Sequence, residues 1–93
     1  MNNENQTREI YIERKPSVLR RTGFSKSTLH NRISQGLFVP PITLGGRAVG
    51  FPGHEVDYLI YAMIAEHSLE DIKILVVALL EKRKSEPFAE LLV

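Results

Sequence analysis

The chain has 93 residues, of which 43% are hydrophobic and 25% charged, with a formal net charge of +1. These values are typical of one small folded domain with a single core. Because cysteine is absent and the three histidines are widely separated, disulfides are excluded, and we expect neither a metal site nor a cofactor.

Positive charge is concentrated in one half of the chain. Residues 8–47 hold eight arginines and lysines against two glutamates, whereas residues 48–93 hold four cations against eight carboxylates. This division favours a polyanionic partner for the N-terminal half. The alternative is a solvated charged surface without a specific partner.

The N-terminal region is predicted to lead into a short helix. Residues 1–9 are polar and aperiodic, which predicts a disordered tail, and Ile10-Tyr11-Ile12 is a β-prone run that suits a small sheet. A helix is predicted from about Pro16 to Thr22, because proline is favoured in a first turn and Gly23 suits the left-handed residue after a helix.

The second predicted helix runs from Lys26 to about Gln35. Ser25 is its N-cap and Gly36 closes it. Because a tight glycine turn joins it to the first helix, the two helices form a predicted helix-turn-helix. Leu29 and Ile33 fall on the buried side, and the opposite side is polar: Ser27, His30, Asn31 and Ser34.

This polar side is predicted to be a recognition surface for double-stranded DNA. Side chains of these types form hydrogen bonds with base edges and phosphates. An ordinary solvated helix face is the alternative. The predicted recognition residues are Lys26, Ser27, Thr28, His30, Asn31 and Arg32, and the predicted backbone contacts are Arg20, Arg21 and Ser25. Capping alone also explains Ser25, and solubility alone also explains the two arginines.

A β-hairpin is predicted after the second helix. Pro40-Pro41 forbids helix, and Gly45-Gly46 supplies the positive φ angles of a tight turn between two strands. Arg47 follows this turn, so we predict a wing whose Gly46 and Arg47 contact a phosphate or a minor groove. A plain surface role for Arg47 is the alternative.

Two further helices are predicted in the C-terminal half. One starts near His54, and the other runs from Leu69 to about Lys84 behind the N-cap Ser68. The fourth helix is apolar on more than one side, which is typical of a helix with two partners. A small core that takes up every apolar side chain is the alternative. The candidates for oligomerisation are Ile74, Val77 and Leu80.

The combination of residues 19–29, Gly36, residues 41–51 and residues 55–57 resembles the AlpA family of prophage and genomic-island regulators, over about residues 10–61. Phe51 stands where members usually carry tryptophan, and residues 62–93 extend past the usual end. The resemblance implies a winged helix-turn-helix of the MerR and excisionase type that acts as a transcription regulator or as an excision directionality factor with a recombinase. Both a two-fold dimer and head-to-tail assembly along DNA stay open.

The expected architecture is therefore mainly α-helical with a small β-hairpin: a winged helix-turn-helix followed by an extra C-terminal helix. The expected divisions are a tail (1–9), a DNA-binding domain (10–66) and a helical extension (67–93). We expect a cytoplasmic protein, because no run of about 18 apolar residues is present to cross a membrane.

Catalysis is not expected, since the sequence offers no nucleophile with a base and no phosphate-binding glycine loop. The competing interpretation is a protein-interaction adaptor, whose apolar C-terminal helix binds another regulator or a recombinase.

Overall fold

The computed structural model describes residues 10–85, which form four helices and a three-stranded antiparallel sheet. Two short helices precede a β-hairpin wing, and two longer helices follow it, so the predicted winged helix-turn-helix with a C-terminal helix is confirmed. In chain order the elements are β1 (Ile12–Glu13), α1 (Lys15–Thr22), α2 (Lys26–Ser34), β2 (Ile42–Gly45), β3 (Ala48–Pro52), α3 (Gly53–Ile64) and α4 (Leu69–Ser85).

Local capping fixes the ends of the short helices. Gly23 follows α1 with φ +79° and donates its N–H to the carbonyl of Leu19. The amide of Thr28 donates to the Ser25 hydroxyl at the start of α2. Gly36, at φ +76°, closes α2 in a Schellman motif, because only a residue that tolerates a left-handed conformation fits there. These predicted caps are confirmed.

The sheet differs from the prediction in two details. β1 lies one to two residues later than the predicted run and pairs with β3, giving the order β1-β3-β2. The prediction of a turn at Gly45-Gly46 is wrong, because it lies one position before the observed turn. Gly45 pairs with Ala48 after a register shift in β2, so Gly46 and Arg47 occupy the turn. Arg47 is therefore part of the turn instead of following it.

One core joins the wing to the helices. Phe38 is at its centre, with the rings of Phe24 and Phe51 each 6.1 Å away in edge-to-face contacts. α4 packs against the same core through Ile72, Val76 and Leu79. The proposed boundary between residues 66 and 67 remains a prediction, and α4 shares its apolar packing with the winged part.

A buried ion pair also fastens α4. The Glu55 side chain is 1% exposed and accepts hydrogen bonds from the Arg83 guanidinium, the shortest being 2.7 Å. Arg83 also donates to the Pro40 carbonyl oxygen at 2.8 Å. Nothing local in the sequence indicates this contact, since Glu55 lies 28 residues away from Arg83.

The predicted tail of residues 1–9 and the apolar segment of residues 88–93 lie outside the described residues. Within residues 10–85, no helix combines the length and apolar character needed to cross a membrane.

Candidate nucleic-acid interface

α2 exposes most of its surface, while Leu29 and Ile33 pack against the core. Leu29 is fully buried, and Lys26, Ser27, His30 and Asn31 are exposed. Helical periodicity separates the packed side chains from the polar residues. The structure therefore leaves five of the six predicted recognition residues exposed, with Thr28 as the fifth.

Thr28 is tied to the helix cap. Its amide donates to the Ser25 hydroxyl at 3.1 Å, and the two hydroxyl groups lie 3.0 Å apart. Both side chains are exposed, and they satisfy polar groups of the first turn. Capping therefore gives Ser25 and Thr28 a structural role whether or not either meets a ligand.

Arg32 turns back toward the protein. Its guanidinium carbon lies 5.2 Å from the centre of the Phe24 ring, which is cation–π geometry. Its buried Nη1 has no hydrogen-bond partner among residues 10–85. Arg32 is half-buried, so its contact with Phe24 distinguishes it from the exposed cations.

His30 is connected to the start of α1. The Lys15 ammonium lies 3.1 Å from His30 Nε2. An ammonium group only donates, so Nε2 accepts and the proton of a neutral ring is on Nδ1. This contact orients the imidazole and leaves Nδ1–H as a donor.

α1, α2 and the wing converge on one shallow surface groove. Lys15, His30, Ser34 and Val49 contribute to its lining. Arg14 donates from Nε to the Val49 carbonyl oxygen at 3.0 Å, which connects the start of α1 to β3. The predicted site omitted Arg14 and Lys15, although their charge and position before Pro16 were visible in the sequence.

The wing places a cation at the end of the hairpin. Gly46 has φ +56°, and Arg47 beside it is exposed. The tight turn depends on this glycine because side chains rarely adopt such a φ. Arg47 is thereby separated from the core and accessible to a ligand.

No acidic residue occurs between residues 14 and 54, although seven arginines and lysines do. The nearest preceding carboxylate, Glu13, is 4% exposed. The surface built from α1, α2 and the wing therefore carries positive charge without a carboxylate of its own, a pattern that attracts polyanions.

Arg20 and Arg21 differ although they are adjacent. Arg20 is exposed and makes a long hydrogen bond of 3.4 Å to the Ser17 hydroxyl. Arg21 donates to both Glu13 carboxylate oxygens at 2.9 Å and to Asp57 Oδ1 at 2.9 Å. The structure thus gives Arg21 a role in joining β1, α1 and α3.

These bonds also change the charge equilibria. The hydrogen bond from Arg21 lowers the pKa of Glu13, more than offsetting the effect of burial, and Ser17 contributes a further bond at 2.6 Å. Conversely, the hydrogen bond to Glu13 raises the pKa of Arg21 above its ordinary value. Glu13 and Arg21 are therefore both charged at neutral pH. Their ion pair joins β1 to the C-terminal end of α1.

The three oligomerisation candidates occupy different environments on α4. Ile74 and Val77 are 67% and 60% exposed. Leu80 is half-buried and packs against the core. Ile74 and Val77 are therefore available to a partner, and Leu80 is available only through the exposed part of its side chain.

The described part of the chain contains no cluster of three or more histidine or acidic residues arranged to hold a metal ion.

Comparison with protein families gives a match over more than half of the chain. Residues 12–62 match the family described as Prophage CP4-57 regulatory protein (AlpA). No curated protein and no solved structure gave a match. The matched residues cover more than half of the chain and include β1, α1, α2, the wing and most of α3, which confirms the resemblance found in the sequence. The chain belongs to the AlpA family of prophage regulatory proteins.

Proposed function

We propose that this chain is a cytoplasmic, sequence-specific DNA-binding protein of a prophage or genomic island. It inserts α2 into a major groove and places the Arg47 wing beside it, and it regulates transcription, promotes excision with a recombinase, or does both. The observation that carries this proposal is the exposed polar face of α2 within a surface that has cations and no carboxylate.

The exposed residues of α2 suit readout of base edges. The major groove admits an α-helix, and an asparagine amide pairs with adenine through two hydrogen bonds. Asn31 is the residue that we assign to such a contact. Ser27 and the Nδ1–H of His30 supply further hydrogen bonds, with Lys15 holding the His30 ring.

We assign phosphate contacts to exposed and half-buried cations of the N-terminal half. Five cations of the N-terminal half are assigned this role: Arg14, Lys15, Arg20, Lys26 and Arg47. If each neutralises one phosphate, the logarithm of affinity falls with the logarithm of salt concentration with a slope of about −4.5. Arg21 is left out of this set because Glu13 and Asp57 occupy its donors.

The experiment is fluorescence-anisotropy titration with DNA tiles from the upstream region of the gene and from the ends of its mobile element, at two salt concentrations. Arg47→Glu is compared with Lys82→Glu, which reverses an exposed cation on α4. We expect Arg47→Glu to weaken binding by about tenfold or more at low salt. Lys82→Glu should leave binding near the wild-type value.

Substitutions on α2 and α1 separate readout from positioning. Asn31→Ala should cost about 1–3 kcal/mol on the preferred site and relax selectivity at one base pair. Arg20→Ala should weaken preferred and scrambled DNA alike, because phosphates carry no sequence information. The tile that binds best distinguishes promoter regulation from excision.

Weak binding that ignores DNA sequence and is unchanged by Arg47→Glu would contradict the proposal. The adaptor function would then be favoured, because the exposed Ile74 and Val77 side chains offer a surface for a protein partner.

A further inference from the structure

The side of α4 that points away from the core has an apolar centre between charged ends. Ile74 and Val77 form this centre, and both are more than half exposed. The remaining residues on this side are exposed as well. We call this surface the outer face of α4, and its members are Glu70, Lys73, Ile74, Val77, Ala78, Glu81 and Lys84.

The charges of the outer face are arranged with opposite signs at equal distances from Val77. Lys73 and Glu81 lie four residues to either side, and Glu70 and Lys84 lie seven residues to either side. The face is therefore complementary to itself when a second helix runs in the opposite direction. A parallel helix in the same register would instead set each charge against its own sign.

Contacts within one chain do not use these charges. In the structure of residues 10–85, none of the four charged side chains takes part in an ion pair. Lys73 and Glu81 are eight residues apart on one helix, which separates them by about 12 Å along its axis. Their complementarity is thus available to another molecule.

We propose that a second copy of this chain covers the outer face of α4 in an antiparallel, two-fold dimer centred on Val77. Ile74 and Val77 supply the apolar contact, and Ile74 lies beside the edge of Leu80 of the partner subunit. Lys73 faces Glu81 of the partner subunit. Because the symmetry is two-fold, every such contact occurs twice.

The interface is expected to be small. α4 has 17 residues, which makes it about 25 Å long, so one helix pair buries less than a standard interface. The dimer should therefore dissociate on dilution, and salt should weaken it because its ion pairs are exposed.

One consequence rests on the proposed function. A two-fold dimer presents its two α2 helices symmetrically, so the preferred DNA site would be an inverted repeat. Dimerisation is measured without DNA, so a failure of the dimer and a failure of DNA binding are distinguishable.

The first test uses disulfide cross-linking of the full chain, which has no cysteine of its own. Val77→Cys is expected to form a covalent dimer under mild oxidation, because residue 77 of each subunit lies at the two-fold axis of the dimer. Lys84→Cys is the matched control on the same face, since the two copies of that position are separated by about 21 Å along the helices, beyond disulfide reach. Equal cross-linking of both variants would overturn the antiparallel arrangement.

The second test uses charge reversal and sedimentation equilibrium. Lys73→Glu and Glu81→Lys each turn two attractive pairs into repulsive ones, so each variant alone should dissociate about tenfold more readily than wild type. An equimolar mixture restores both attractive pairs and should form heterodimers with near wild-type affinity. Failure of the mixture to associate better than either variant would overturn the proposed register.

Wild-type protein that stays monomeric up to its solubility limit would also overturn the proposal. If deletion of residues 86–93 then allowed dimerisation, that segment would be the occupant of the outer face in place of a second copy.

Discussion

Loss of the Arg83 side chain is expected to destabilise the fold severely. Arg83 Nη2 lies 2.7 Å from Glu55 Oε1, and Arg83 Nε lies 2.9 Å from Glu55 Oε2. Arg83→Ala leaves the carboxylate of Glu55, which is 1% exposed, without this partner. It also removes the bond to the Pro40 carbonyl oxygen.

The expected magnitude follows from the burial of the remaining charge. Removing one partner of a buried ion pair costs about 3–5 kcal/mol. Because the Arg83 side chain is itself 22% exposed, water reaches part of this site, and we expect about 3 kcal/mol, at the lower end of that range. For a domain of this size, that loss lowers the melting temperature by about 12–24 °C.

Urea unfolding followed by circular dichroism at pH 7 gives the free energy of unfolding for each variant. Lys82→Ala is the matched control, because it removes an adjacent but exposed cation and should change stability by less than about 0.5 kcal/mol. The double variant Glu55→Leu/Arg83→Leu should recover much of the loss, since well-packed apolar pairs replace buried ion pairs at little cost. An Arg83→Ala protein within about 0.5 kcal/mol of wild type would refute the reasoning.

Three further predictions concern stability. Because the folded-state pKa of Glu13 is lowered from 4.5, its ionised form stabilises the fold above that pH, and this contribution disappears as pH falls through the lowered pKa. In urea unfolding, wild type should therefore have a larger free energy of unfolding than Glu13→Gln at pH 7, and this difference should shrink below about pH 4.5. A difference that stays constant with pH would contradict the assignment. Ser25→Ala should cost about 1 kcal/mol by removing the α2 cap, whereas the exposed Ser27→Ala should cost less; equal losses in thermal unfolding would count against the cap. Gly50→Ala places a methyl group against Ile12 Cγ2 and should destabilise by about 1–3 kcal/mol, and an unchanged melting temperature would show that β1 adjusts freely.

Local signals determined four of the helix ends in this protein: the starts of α2 and α4 and the ends of α1 and α2. Ser25 caps α2 through an amide three residues away, and Ser68 caps α4 through the amide of Asp71. Gly23 and Gly36 adopt the left-handed conformation that the pattern predicts. The end of α3 lacked such a signal, because Glu66 takes the left-handed position there with φ +60°. The serine and glycine caps can be predicted from the sequence because they join residues within one helical turn.

The candidate site was only partly accessible from the sequence. The second helix and its exposed polar residues followed from periodicity and capping, and the family followed from an ordered set of short motifs. The link between Lys15 and His30 spans 15 residues, and the one between Arg14 and Val49 spans 35. Neither follows from periodicity, because packing decides which segments become neighbours.

The sequence alone therefore determined the order and type of the elements, the uneven charge and the family, since these depend on residue identity and short-range backbone geometry. Tertiary structure decided which arginines form ion pairs within the protein. It directs Arg21 to Glu13 and Asp57 and Arg83 to Glu55, while Arg20 and Arg47 stay exposed. All four look alike along the chain, and their roles differ because only the packed fold brings carboxylates from distant segments within hydrogen-bonding distance of two of them.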